Sequence, residues 1–142
     1  MSEETEDITF PSEDIEKIVQ ETIEAMLGPK TYNEKEVPVW INELNEAIME
    51  KLVSAQKPFK FLINSLIMQR KGANVVVANS NFWDTGLDSS FTVIWPREKP
   101  NKAEQSKNTI QCMVSVYAMS LLNSSSLFKN ELWFNPMTVD SN

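Results

Sequence analysis

The chain has 142 residues, 42% of them apolar and 23% charged, with a formal net charge of −7. This length points to one domain able to build a core without disulfides or metal. Histidine is absent and Cys112 is the only cysteine, which excludes Cys/His zinc sites and an internal disulfide and removes the commonest general base. An acidic chain is also a poor partner for a phosphate backbone, so no nucleic acid is expected. No run reaches the ~18 apolar residues of a membrane span, and the N-terminus MSEETEDITF lacks the basic-then-apolar order of a signal peptide. The expectation is a cytoplasmic protein with no membrane, metal or cofactor.

In chain order, residues 1–11 read as an acidic, flexible N-terminus. Ser12, Glu13 and Asp14 then suit a helix start, by capping and by complementing the positive helix end. Ile15, Ile18, Val19, Ile23, Met26 and Leu27 follow at helical spacing. Gly28, in a left-handed closing conformation, and Pro29 stop the run, predicting a helix over 13–27. Val37, Trp40, Ile41, Leu44, Ile48 and Leu52 form a second stripe. Pro38 is best tolerated in a first turn, so this helix starts near 37 and ends before Lys57-Pro58.

From Phe59 the pattern changes to strand. FKFLINSLIMQR (59–70) is aliphatic on both parities, as in a strand covered on both faces. Turn residues Lys71 to Asn74 lead to a second predicted strand, VVVANSNFW (75–83). Asp84 to Asp88 make a turn, and SSFTVIW (89–95) is a third strand. Residues 96–108 form a charged loop. TIQCMVSVYAM (109–119) is a fourth strand, with Ile110, Cys112, Val114, Val116 and Ala118 on its apolar face. Two helices followed by four strands with short connections give an α+β domain, the helices packed on a four-stranded antiparallel sheet.

Candidate chemistry is sparse. Cys112 sits on an apolar strand face with no base to ionise it, and free cysteine there is usually a small buried hydrophobe. Asp84 and Asp88 flank Gly86, which is turn composition, although a carboxylate pair in a cleft is an alternative. Gly28, Gly72 and Gly86 build no phosphate-cradling loop. No catalytic residue is assigned, and a small enzyme or ligand-binding domain using Asp84 and Asp88 stands as the rival reading.

Three stretches carry a family likeness: KPFKFLINSLIMQRKGAN (57–74), FWDTGLDSSFTVIW (82–95) and CMVSVYAM (112–119). Together with the helix pair they resemble the Tctex-type dynein light chains over residues 12–120. The resemblance implies a non-catalytic light chain of the dynein motor, cytoplasmic and cytoskeletal, with the axoneme as a further location. It implies a homodimer in which each copy lends its second strand to the other's sheet. It also implies that the dynein intermediate chain adds there as a further strand, with cargo adaptors as a further class of partner. The implied partner edge is Asn74, Val75, Val76, Val77, Ala78, Asn79, Ser80, Asn81 and Phe82, and the dimer and hairpin residues are Trp83, Asp84, Gly86 and Phe91.

Residues 121–142 form a C-terminal extension to this plan. Leu127, Phe128, Leu132, Trp133 and Phe134 make it unusually apolar. It reads either as an ordinary loose end or as a segment that docks on the sheet edge or the other subunit and occupies the partner groove.

Overall fold

A computed structural model describes residues 12–70, 76–97 and 109–121 of the chain. The predicted acidic N-terminus, the turn at 71–74 with Gly72 and Asn74, Val75, residues 98–108 of the charged loop and the C-terminal extension beyond Leu121 lie outside the described residues. The order of elements is α1 (Ser12–Leu27), α2 (Val37–Ser54), β1 (Phe59–Gln69), β2 (Ser89–Trp95) and β3 (Ile110–Ser120). Two helices pack on one antiparallel sheet, so the α+β architecture is as expected from the order of the periodicities.

The helices follow their apolar stripes. Ile15, Val19, Ile23 and Leu27 of α1 are fully buried, as are Leu44, Ile48 and Leu52 of α2, with Trp40 nearly so. Pro38 sits in the first turn of α2, where its missing N–H costs nothing. Thr22 is the buried position that the apolar pattern skipped. Its hydroxyl donates to Ile18 O at 2.6 Å and accepts from Lys51 Nζ at 3.0 Å, so its one proton and one lone pair are both used. A buried hydroxyl is tolerable only on those terms.

The helix ends differ from expectation in mechanism. Gly28 does not adopt a left-handed conformation. Its backbone instead lies so close to the preceding turn that an added Cβ would fall 2.4 Å from Glu24 O. The residue that does take positive φ is Gln56, at 55°, just after α2. Its N–H donates to Val53 O at 3.0 Å and closes the last turn.

The sheet order is β1-β3-β2. β3 pairs antiparallel with β1 from Phe59↔Ser120 to Gln69↔Ile110, and with β2 from Ser89↔Ala118 to Trp95↔Cys112. One face meets the helices through Phe59, Ile67, Val93, Cys112, Val114, Val116 and Ala118, with Phe61, Ile63, Phe91 and Trp95 packed around them. Cys112 is fully buried, and burial pushes its thiol from 9.0 up to about 12. It behaves as the small hydrophobe expected of it.

One expectation is met only in part among the described residues, and one is corrected. Among the described residues the sheet has three strands, and residues 76–82 of the predicted second strand belong to none of them. The reason is topological. β1 and β2 are each antiparallel to β3 and therefore parallel to one another, so the chain between them must cross over the sheet. A three-valine run favours strand locally, but propensity needs an edge to pair with. Second, β1 is covered on one face only: Leu62 is 51% exposed and Leu66 42%.

Two stability predictions follow from the core. Gly28→Ala should cost about 1–3 kcal/mol, because the new methyl meets backbone that cannot yield. Gly86→Ala, whose Cβ would sit 3.4 Å from Asp84 Oδ1, should stay within about 0.5 kcal/mol; urea midpoints of the two variants compare them. For Cys112 the folded thiol holds its proton above pH 9 while the unfolded one loses it. Stability should therefore fall as pH rises from 9 towards 12, by up to ~1.4 kcal/mol per pH unit. Thermal melts between pH 8 and 11 should show a steeper decline in the wild type than in Cys112→Ala.

Candidate partner-binding edge and groove

The crossover from β1 to β2 is where the unusual geometry lies. Residues 76–82 run exposed, with Val76 91% and Phe82 59% accessible. The segment is fixed at its far end by Tyr117, which points out of β3 on the face away from the helices. Asn79 Nδ2 donates to the Tyr117 hydroxyl at 3.1 Å, and Trp83 meets the Tyr117 ring edge-on with centroids 6.3 Å apart. Asn81 Nδ2 reaches Asn79 Oδ1 at 3.5 Å. Tyr117 therefore anchors the crossover. Its parity on an alternating strand, a polar-tipped aromatic among aliphatics, is the signal that could have marked it.

Between this segment and β1 lies a groove of about 710 Å³, whose lining includes Leu62, Asn64, Phe82, Trp83, Tyr117 and Met119. Its walls are mostly apolar with amide groups at the rim. The same face continues along the sheet as Leu66, Met113 and Ile94, which the register places side by side. Leu62, Leu66 and Ile94 are large aliphatics left exposed. Met113 between them is itself buried, so the exposed aliphatics form separate patches, of which Leu62 borders the groove.

The turn below the crossover is built by its two aspartates. Asp84 Oδ1 accepts from Gly86 N at 2.9 Å, and Asp84 O accepts from Leu87 N and Asp88 N at 3.1 and 2.8 Å. Asp88 is a two-sided staple: Oδ2 accepts from Asp84 N at 3.0 Å and Oδ1 from Ser120 N at 2.8 Å. One carboxylate thus joins the entry to β2 with the last residue of β3. The turn expected from composition is present, but it leads from the crossover into β2 rather than joining two paired strands.

Of the implied partner edge, Asn74 and Val75 lie outside the described residues. Val76, Val77, Ala78, Asn79, Ser80, Asn81 and Phe82 lie together on the exposed crossover. Trp83, Asp84 and Gly86 cluster at its foot. Phe91 lies opposite Val116 on the helix-covered face of β2 and shares a small pocket with Gly86. Among the described residues no group of acidic or cysteine side chains is placed to hold a metal ion, and no helix is long and apolar enough to cross a membrane.

Known proteins are similar to this chain in sequence. The model of the Tctex-1 family matches residues 9–119. A Drosophila melanogaster protein named dynein light chain Tctex-type is 30% identical over 121 residues, covering 85% of this chain and all of the relative. The human dynein light chain Tctex-type 3 is 26% identical over 117 residues, covering 82% of this chain and 92% of the relative. A Dictyostelium discoideum dynein light chain Tctex-type is 28% identical over 116 residues, covering 81% and 96%. With the helix pair, the three-stranded sheet and a matched span of most of its length, the chain belongs to the Tctex-1 family.

Proposed function

We propose that this chain is a non-catalytic light chain of a dynein motor, acting as a homodimer that binds the dynein intermediate chain by strand addition. Membership of a family whose curated relatives are dynein light chains supports the motor role. The observation that carries the rest is the crossover: a valine-rich stretch with strand composition, exposed and in no strand of its own chain. In a second copy it gains an edge, because β1 and β2 are the outer strands of the sheet. Exchange of residues 74–83 between two copies then pairs the backbone of both. A further extended segment adds to the exchanged strand through main-chain hydrogen bonds, and flanking pockets select its sequence. Two-fold symmetry presents that edge twice, so a pair of intermediate chains gains avidity of ~10²–10⁴ over one site when both ends engage. Placement in the cytoplasm and cytoskeleton, and adaptors as further partners, belong to the same reading.

The rival reading gives Asp84 and Asp88 catalytic work. Their hydrogen bonds favour the turn role, since both carboxylates accept from backbone amides.

The dimer reading predicts a two-fold mass in sedimentation equilibrium and retention of an intermediate-chain N-terminal peptide. Prolines at both 77 and 78 remove N–H donors on either parity of the strand. They should weaken the dimer at least about tenfold while leaving the thermal melt of the single chain nearly unchanged, a cost of ~1.4 kcal/mol or more. A wild-type chain that stays monomeric and ignores the peptide would sink the proposal.

For the aspartates, Asp88→Asn should cost about 1–2 kcal/mol, because the NH2 that replaces one carboxylate oxygen faces an N–H donor and leaves it without an acceptor. Asp84→Asn keeps its acceptor for Gly86 N and should cost less than about 1 kcal/mol. Urea titrations rank the two.

A further inference from the structure

We propose that residues 127–134 dock, in the same chain, in the groove lined by Leu62, Phe82, Trp83, Tyr117 and Met119, and so hold the chain in its single-copy form. The docking half stands alone; the dimer half rests on the homodimer reading above. The first support is where the chain leaves the sheet. β3 ends at Ser120, and Leu121 N donates to Pro58 O at 2.8 Å, beside the start of β1. Met119, one of the groove's lining residues, lies two residues before Leu121. Position 127 is six residues past Leu121, a reach of roughly 20 Å when extended.

The second support is composition. Residues 123–126 read Asn-Ser-Ser-Ser, a polar connector, and 127–134 read LFKNELWF, with five large apolar side chains in eight positions. The groove is mostly apolar with Asn64 and Asn81 on its rim, and its volume falls in the range of ~300–1,000 Å³ that takes a compact apolar ligand. A tether this short sets an effective concentration on the order of millimolar, so a weak contact suffices to fill the site. The third support is that the segment stands outside the common plan: the family match ends at residue 119. The exchange of residues 74–83 removes one wall of the groove, because the crossover supplies Phe82 and Trp83. A segment bound between that wall and β1 therefore favours the unexchanged chain and opposes the dimer.

The test uses the full chain with Asn135→Cys carrying a nitroxide. Cys112 is fully buried and stays unlabelled. With isotope-labelled methyl groups, the Leu62 and Met119 signals should lose intensity several-fold, while those of Val39 and Val53 on the exposed side of α2 do not. Trp133→Asp with Phe134→Asp should restore the Leu62 and Met119 signals. In sedimentation equilibrium the same pair should tighten the dimer about a hundredfold, as expected when each of the two chains is released from a closed state with a ~10:1 preference. Unaffected Leu62 and Met119 signals overturn the docking. Broadening seen only when spin-labelled and isotope-labelled chains are mixed overturns docking within one chain. Docking with an unchanged dimer constant overturns the restraint on dimerisation. A chain that is monomeric in both forms sinks the homodimer reading instead, and the methyl signals still decide the docking.

Discussion

β3 is the constraint on which the rest of this structure depends. It is the last of the described elements and the only described strand with a neighbour on both sides. Its helix-facing residues, Cys112, Val114, Val116 and Ala118, are buried almost completely at the centre of the sheet, where α1 lies against β2 and β3 while α2 lies against β1. Until it arrives, β1 and β2 have nothing to join them, since they are parallel to one another and separated by its width. Every sheet contact is therefore long-range in sequence, and loop-closure entropy is paid before any strand pairing is gained.

The same placement explains why the crossover is special. A parallel relation between β1 and β2 demands a connection that spans the sheet, and here it passes over the face opposite the helices. Tyr117 is a point where β3 holds that connection, through the Asn79 hydrogen bond and the Trp83 ring contact. Above it the segment is bare, and below it the turn is fixed by Asp84 and Asp88. A stretch pinned at one end and exposed at the other is suited to exchange: it can leave without dismantling the core, because none of its side chains belongs to that core.

Much of this was legible in the residues because the helix stripes and the β3 alternation are unambiguous periodicities. Ile15, Ile18 and Val19, or Val37, Trp40, Ile41 and Leu44, repeat at intervals of three and four, which keep one face on a helix but alternate faces on a strand. The misses share a physical origin: they depend on what a residue meets, which spacing does not encode. Thr22 is buried because Lys51 reaches it from the other helix. Gly28 is required by the approach of the Glu24 carbonyl, not by its own torsion. Gln56 takes the positive φ that sequence reasoning assigns to glycine. The valine run at 75–77 has the composition of a strand, yet residues 76–82 join no strand of the described sheet. Propensity alone does not place a segment in a sheet, and Val76 and Val77 are left at the surface.

Asp88 links these levels. Its carboxylate ties Asp84 N in the turn to Ser120 N at the end of β3, so the foot of the crossover and the exit of the C-terminal extension are fixed to the same side chain. Leu121, bonded to Pro58 O, ties that exit to the start of β1 as well. Three segments distant in sequence thus converge at one end of the sheet: the entry to β1, the entry to β2 and the departure from β3. Any force on the extension is delivered at the point where the crossover is anchored, and any release of the crossover loosens one wall of the groove that the extension leaves beside. The exchange segment and the extension are mechanically neighbours through a single acidic side chain, although more than 30 residues separate the turn from β3's end along the chain.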